Sequence, residues 1–227
     1  MDETRPLAVD LFCGLGGWTE GLLAEGWWVV GFDIERHDYG TGGYPAQLVL
    51  QDALTLHGSQ FKDAALIVAS PPCQEFSYMA MPWSKAKAKE RDLIEGRDDP
   101  KRLTALFDAC FRIQREAIEA AGHFIPLVVE NVRGAQKWVG RSRWCSGSFH
   151  FWGDIPALMP SDRVFKSSGM NWSDQTKRGQ DFTRLAGKHS GAKGSNKKAA
   201  SAAIAKIPFA LSSHIARYWK PVENDKV

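Results

Sequence analysis

The sequence predicts an α/β fold, a doubly wound and mainly parallel sheet accompanied by a small basic irregular region. Short apolar runs alternate with segments of helical spacing, the first run ends in a glycine-rich turn, and one late stretch loses the apolar pattern. Alternating strand and helix signals put helices on both faces of a sheet, which buries its parallel strands and makes them apolar throughout.

Residues 7–12 form the first apolar run, and residues 18–25 read as a helix stopped by Gly26, so strand, turn and helix open the chain. Further buried strands are expected at residues 27–32, 64–69 and 126–130, with helices filling the gaps between them. The clearest helix is 103–121, where Leu103, Leu106, Phe107, Cys110, Ile113, Ala117 and Ile118 share one face before Gly122. Residues 161–201 are rich in Gly, Ser, Lys and Asn and read as a long loop or small appendage. Pro208 then sits at a helix start, and Leu211, Ile215, Tyr218 and Trp219 form a stripe that returns the chain to the core. The expected division is a body at 1–160, the basic region at 161–201 and a returning helix at 202–227.

With 227 residues, 44% of them hydrophobic, the chain can bury one substantial core, and a monomer is expected. No run of eighteen apolar residues occurs and the first residues are acidic, so neither membrane insertion nor secretion is indicated. Cys13, Cys73, Cys110 and Cys145 lack the spacing of a disulfide scaffold or a zinc site, which points to a reducing cytoplasm and no metal. The formal charge of +3 proves no nucleic-acid partner, but between residues 162 and 198 nine basic residues face three acidic ones.

Three motifs carry the chemistry. Asp10-Leu11-Phe12-Cys13-Gly14-Leu15-Gly16-Gly17 stands where a strand hands over to a helix, and its glycines admit a bulky ligand close to the backbone. Asp33 follows Gly16 by 17 residues, at the end of the second strand, where a carboxylate accepts from both hydroxyls of a ribose. A dinucleotide fits this pair about as well as an adenosyl cofactor, and a tight connection needs no ligand. Ser70-Pro71-Pro72-Cys73-Gln74-Glu75-Phe76-Ser77 follows the third strand, on the sheet edge where ligands bind. A lone cysteine is ordinarily an inert small apolar residue, but a rigid loop there can aim a thiolate. Val128-Val129-Glu130-Asn131-Val132 ends an apolar strand with a carboxylate and an amide, which serve otherwise as a solvated strand end or a cap.

In this order and spacing the three motifs resemble those of the cytosine-5 DNA methyltransferases. The resemblance covers residues 7–133 well and 204–219 loosely, and in brevity the chain is similar to the small orphan enzymes of phages and prophages. It implies a Rossmann-like methyltransferase fold with S-adenosylmethionine as cofactor and double-stranded DNA as partner. By motif position it implies that Phe12, Gly14, Gly16, Gly17 and Pro72 line the cofactor, Asp33 binds its ribose, Ile34 packs on the adenine and Asp52 accepts the adenine amino group. Gln74, Ser77 and Asn131 are implied on the substrate side. For Ile34 the plain reading is core packing, and for Asp52 a turn cap.

The chemistry so implied is nucleophilic. Carbon 5 of cytosine is a poor nucleophile, and addition of the Cys73 thiolate to carbon 6 turns the ring into an enamine. Glu130 would hold a proton at ring nitrogen 3, which requires a pKa above the ordinary value of about 4.3. A free cysteine ionises near about 8.5, so the thiolate needs positive charge nearby, and Arg141 and Arg143 are the candidates. The family's Gln-x-Arg-x-Arg segment has here become Val139-Gly140-Arg141-Ser142-Arg143, without the glutamine, only 11 residues after Glu130. No side chain is marked as the base for the carbon 5 proton, and water can serve.

Two departures from the family stand out. About forty residues, 161–201, replace the usual separate recognition domain, and Ile204-Ala205-Lys206-Ile207-Pro208 replaces a Gly-Asn before Val-Pro. Other readings are a DNA-binding protein that keeps the fold without catalysis and a methyltransferase for RNA or a free nucleotide. A nicotinamide oxidoreductase explains the glycine turn but leaves Cys73 and Glu130 without a role.

Overall fold

Residues 7–11 are apolar but for Asp10, and such a run gains most when covered on both faces. It becomes the central strand β1 (Leu7–Leu11) of a mixed, mainly parallel sheet. A computed structural model describes residues 5–39, 42–73, 76, 87–88, 91–92, 94–96, 99–160, 202–203 and 205–222. Among them the strands are β1, β2 (Trp28–Asp33), β3 (Gln47–Leu50), β4 (Leu66–Ala69), β5 (Leu127–Asn131), β6 (Trp144–Ser146) and β7 (Phe149–Gly153), in the order β3-β2-β1-β4-β5-β7-β6. The first five are parallel, and β7 runs antiparallel to both β5 and β6.

Helices cover both faces. On one, α1 (Gly17–Ala24) and the C-terminal α4 (Phe209–Trp219) close over Ala8, Val29, Leu66, Val68, Val128 and Phe151, with Trp18, Trp27, Leu211 and Ile215 buried between. On the other, α2 (Pro100–Ala121) sets Leu103, Phe107, Cys110, Ile113 and Ala117 against Val9, Leu11, Ile67, Ala69, Leu127 and Val129. Asp99 caps the first turn of α2, Pro100 follows it, and Gly122 closes it in the left-handed conformation. A four-residue helix α3 (Gln136–Val139) follows β5.

The doubly wound architecture is as expected, and the strands at 7–12, 27–32, 64–69 and 126–130 and the helices at 18–25, 103–121 and 208 onward lie within three residues of their predicted ends. Two features differ. Between β2 and β4, where a helix was expected, the described residues hold β3 and two 3-10 turns, Ala53–Thr55 and Gly58–Phe61. Gly42, Gly43 and Pro45 break any helix there, and Gln47–Leu50 gains more by pairing with Val30–Asp33. The β6–β7 hairpin was not foreseen either, because its strands are short and its Gly147-Ser148 turn lies among other polar residues. The region 161–201 lies outside the described residues.

Candidate active site

The strand order reverses between β1 and β4, and in open α/β sheets the ligand crevice lies outside the carboxyl ends of strands at such a point. The glycine-rich turn follows β1 and the Ser70–Cys73 segment follows β4, so two of the three motifs flank the switch point directly. The third, Glu130-Asn131, ends β5, the parallel neighbour of β4.

The turn after β1 is held in an unusual shape. Phe12, Gly14 and Gly16 have φ of 57°, 50° and 76°, and a bulky residue at positive φ persists only where its surroundings fix it. The Gly14 N–H donates to Asp33 Oδ2 at 2.9 Å, tying the turn to the end of β2. Asp33 Oδ1 accepts from the Glu35 N–H at 3.2 Å and lies 3.3 Å from His37 Nε2, which leaves acceptor capacity on Oδ2, and on Oδ1 in the His37 tautomer whose Nε2 carries no proton. Ile34, next along the chain, is 73% exposed, so the plain core reading does not apply to it.

Beneath the turn lies a buried polar network. Thr19 Oγ1 donates to Asp10 Oδ2 at 2.6 Å and is 2.5 Å from the Tyr44 hydroxyl. Asp10 is fully buried, and its Oδ1 has no hydrogen-bond partner among the described residues. Burial, reinforced by the Asp33 carboxylate, pushes Asp10 up to about 7, although the bonds from Thr19 and Tyr44 pull the other way. Burial likewise pushes the Cys13 thiol well above its ordinary range, so Cys13 is no nucleophile.

The segment bearing Cys73 is pinned from two sides. The Trp18 indole N–H donates to Ser70 Oγ at 2.9 Å, and Asn131 Nδ2 donates to the Pro71 carbonyl at 3.0 Å. Cys73 is half-buried, whereas Glu130 is buried opposite Phe151 of β7. Cys73 and Glu130 thus rise from the same edge of adjacent strands.

Several expected contacts take another form. Gly17 is buried, and a Cβ there would lie 2.5 Å from the Ile207 backbone nitrogen, so its smallness serves the approach of the C-terminal segment. At Gly16 the Cβ position is filled by Pro45, whose Cδ is 2.7 Å away. Of the three, Gly14 is the least crowded: a Cβ there would meet only the Phe12 carbonyl oxygen, at 4.0 Å, among the described residues. Asn131, expected against substrate, is buried and uses its amide to hold Pro71 O and to accept from the Val132 N–H at 2.8 Å, which makes it a positioning residue for the Cys73 segment. Asp52 does cap its turn, accepting from Leu54 N–H at 2.9 Å through Oδ1. Pro72 is exposed, as are Arg141 and Arg143, which precede β6 on the sheet's outer edge, separated from β5 by β7. Gln74 and Ser77 lie outside the described residues.

Tyr44 and His150 escaped sequence reasoning. His150 is buried opposite Asn131, with Nδ1 3.0 Å from Ser142 Oγ, and Ser142 in turn donates to Gln136 Oε1. Burial and the nearby Arg133 hold its pKa down, so the ring is neutral. A polar residue alternating with Phe149 and Phe151 was the available signal.

Residues 8–137, more than half of the chain, match the family model described as C-5 cytosine-specific DNA methylase. The chain belongs to this family. No curated protein matches it. Among solved structures, a protein described as a DNA modification methyltransferase encoded within an E. coli prophage is 21% identical over 58% of this chain and 33% of its own, with a TM-score of 0.37. S. pombe Dnmt2 methyltransferase is 18% identical over 60% of this chain and 37% of its own, with a TM-score of 0.37. The Entamoeba histolytica methyltransferase EhMeth is 15% identical over 60% and 41%, with a TM-score of 0.40. The chain therefore spans only a third to two fifths of the length of these structures.

The residues at the switch point fit an adenosyl cofactor. Gly14 leaves the backbone open, Asp33 offers two fixed carboxylate oxygens to a vicinal diol, and Ile34 presents an exposed apolar surface one residue further on.

Proposed function

We propose that the chain transfers a methyl group from S-adenosylmethionine to carbon 5 of cytosine in DNA, with Cys73 as nucleophile. The observation that supports this reading is that Cys73 follows β4 and Glu130 stands near the end of its neighbour β5, on the sheet edge that also carries the Gly14–Asp33 turn, in a chain of the C-5 cytosine-specific family.

Cys73 Sγ, as thiolate, forms a bond to carbon 6, and the electron pair of the carbon 5–carbon 6 double bond moves to carbon 5. Glu130 holds a proton at ring nitrogen 3, so the ring does not accumulate a full negative charge. Bound S-adenosylmethionine would supply an electrophilic methyl group, which the carbon 5 electron pair takes as the methyl–sulfur bond breaks and S-adenosylhomocysteine is left. Phe12, Gly14, Asp33, Ile34 and Asp52 would hold it, with Pro72 at the edge between cofactor and base. Water takes the proton from carbon 5, the double bond re-forms, and Cys73 leaves as thiolate. In this reading Arg141 and Arg143 favour the thiolate only through their charge, from the sheet's outer edge beyond β7. Gln74 and Ser77 flank the base in the same scheme.

Duplex DNA must surrender its cytosine to such a site by rotating it out of the stack, at about a few kcal/mol. Phosphate contacts offset that cost, and the basic residues between 163 and 198 are assigned to them.

Incubation with labelled S-adenosylmethionine and DNA carrying 5-fluorocytosine tests the reading. Fluorine cannot leave as the carbon 5 proton does, so the Cys73 adduct persists and the protein migrates as a covalent complex. Cys73→Ser should give none, and Glu130→Gln should slow trapping by about a hundredfold or more, as loss of a general acid does. Trapping that survives Cys73→Ser would refute the assignment. Label transfer to RNA or free nucleotide but not to DNA would move the substrate class.

A further inference from the structure

Tyr44 stands between β2 and β3, outside all three motifs, yet it meets the glycine-rich turn on two sides. A Cβ on Gly31 would lie 2.3 Å from the Tyr44 hydroxyl oxygen and from Cζ, so the end of the ring occupies the place of a β2 side chain. At Gly16 the same space is taken by Pro45 Cδ at 2.7 Å and Tyr44 Cδ2 at 3.3 Å. Gly31 is the β2 partner of Asp10, and Gly16 is the residue that caps α1.

The hydroxyl completes the arrangement. It lies 2.5 Å from Thr19 Oγ1 and 3.5 Å from Asp10 Oδ2, while Thr19 donates to the same carboxylate oxygen at 2.6 Å. Asp10 belongs to the strand before the turn and Thr19 to the helix after it, so one chain of polar groups bridges both ends of the segment that carries three left-handed residues. A backbone shape with so little intrinsic preference has to be imposed from outside. Tyr44 and Pro45 press on it from above, and the hydroxyl chain closes it from beneath.

We infer that Tyr44 is a positioning residue for the cofactor: with Thr19 and Asp10 it holds residues 12–17 in the conformation that receives the adenosyl donor. This rests on the reading of that turn as the cofactor site. Tyr44 acts through the turn and through Thr19.

The test uses the full chain and S-adenosylhomocysteine as probe, with affinity read by titration calorimetry and the thermal midpoint of the ligand-free protein recorded alongside. Tyr44→Phe keeps the ring over Gly31 and removes the hydroxyl. Its affinity should fall about two- to tenfold, the range of one net hydrogen bond, and Thr19→Val should match it. Thr19→Ser, which restores the hydroxyl, should recover wild-type affinity, and Tyr44→Phe with Thr19→Val should cost no more than either alone, because both break one chain. Asp33→Asn is the arm that reports on the cofactor site itself. If it loses binding while Tyr44→Phe and Thr19→Val bind as wild type and only their thermal midpoints fall, the role of Tyr44 is structural and the inference is overturned. If Asp33→Asn binds like wild type, or wild type shows no saturable binding, the cofactor reading fails and this inference falls with it.

Discussion

A carboxylic acid sealed inside a protein resists ionising, and Asp10 carries that conflict into the strand next to the proposed cofactor turn. Its carboxyl is fully buried with one oxygen unpartnered among the described residues, and burial holds its pKa at about 7 against an ordinary 3.8. Because the folded value lies above the unfolded one, the protonated form favours folding. That contribution is complete below pH 3.8 and is lost as pH rises through 7, at a total of about 4 kcal/mol. Of this, about 2 to 3 kcal/mol disappears between pH 5 and pH 8. The thermal midpoint of the wild type should therefore drop by several degrees over that interval. Asp10→Asn, uncharged at every pH and still able to accept from Thr19, should flatten the profile. A variant that keeps the wild-type slope would show that Asp10 ionises freely in the fold.

Among the elements, α1 depends most on close approach. Its face toward α4 is built from glycine: a Cβ on Gly21 would sit 2.2 Å from Ser212 Oγ and 2.4 Å from the Ser213 nitrogen. Polar ties run alongside, from Lys206 to Glu20 at 2.5 Å and from Arg217 to Glu25 at 2.7 Å, but Arg217 is largely exposed and such pairs contribute little. Packing therefore governs the contact. Gly21→Ala should destabilise the protein by about 1 to 3 kcal/mol through overpacking, despite the better helix propensity of alanine. Chemical denaturation measures it, and a stabilised variant would mean that α4 shifts away freely. The sequence shows α1 as a helix but not this contact, because the partner lies about 190 residues further on. β3 was hidden for a related reason. Its four residues carry too little pattern by themselves, and only pairing with β2 makes them a strand. The same gap concealed Tyr44, whose position depends on that pairing. The edge positions of Glu130 and Cys73 were legible because Glu130 stands at the end of one apolar run and Cys73 only four residues after another, so reading the strands was enough to place them there.

At the scale of the molecule, the family match ends at residue 137, yet the face bearing α1 is closed by chain beyond residue 202. Ile207, Leu211, Ile215 and Ala216 are buried against Trp18, Leu22 and Trp27. The Trp27 indole donates to the Ala216 carbonyl at 3.1 Å, and the Trp219 indole to the Asp154 carbonyl at 3.1 Å, fixing α4 to both halves of the sheet. Residues 1–160 therefore contain every proposed catalytic and cofactor residue but cover one face of their sheet only in part, with α1 alone. Exposing two tryptophans and a leucine of that face costs about 1.5 to 3 kcal/mol for each aliphatic side chain and more for each indole, a sum comparable to the entire stability of a domain. A chain shortened to residues 1–160 should accordingly lose its cooperative thermal transition, bind a hydrophobic dye and fail to bind S-adenosylhomocysteine. A peptide of residues 202–227 added in trans should restore part of the transition, since its contacts are non-covalent and local to one face. Cooperative unfolding of the shortened chain alone, at a midpoint near that of the full protein, would show that the sheet needs only α1 and α2 to fold and that α4 is a late addition to a core already complete.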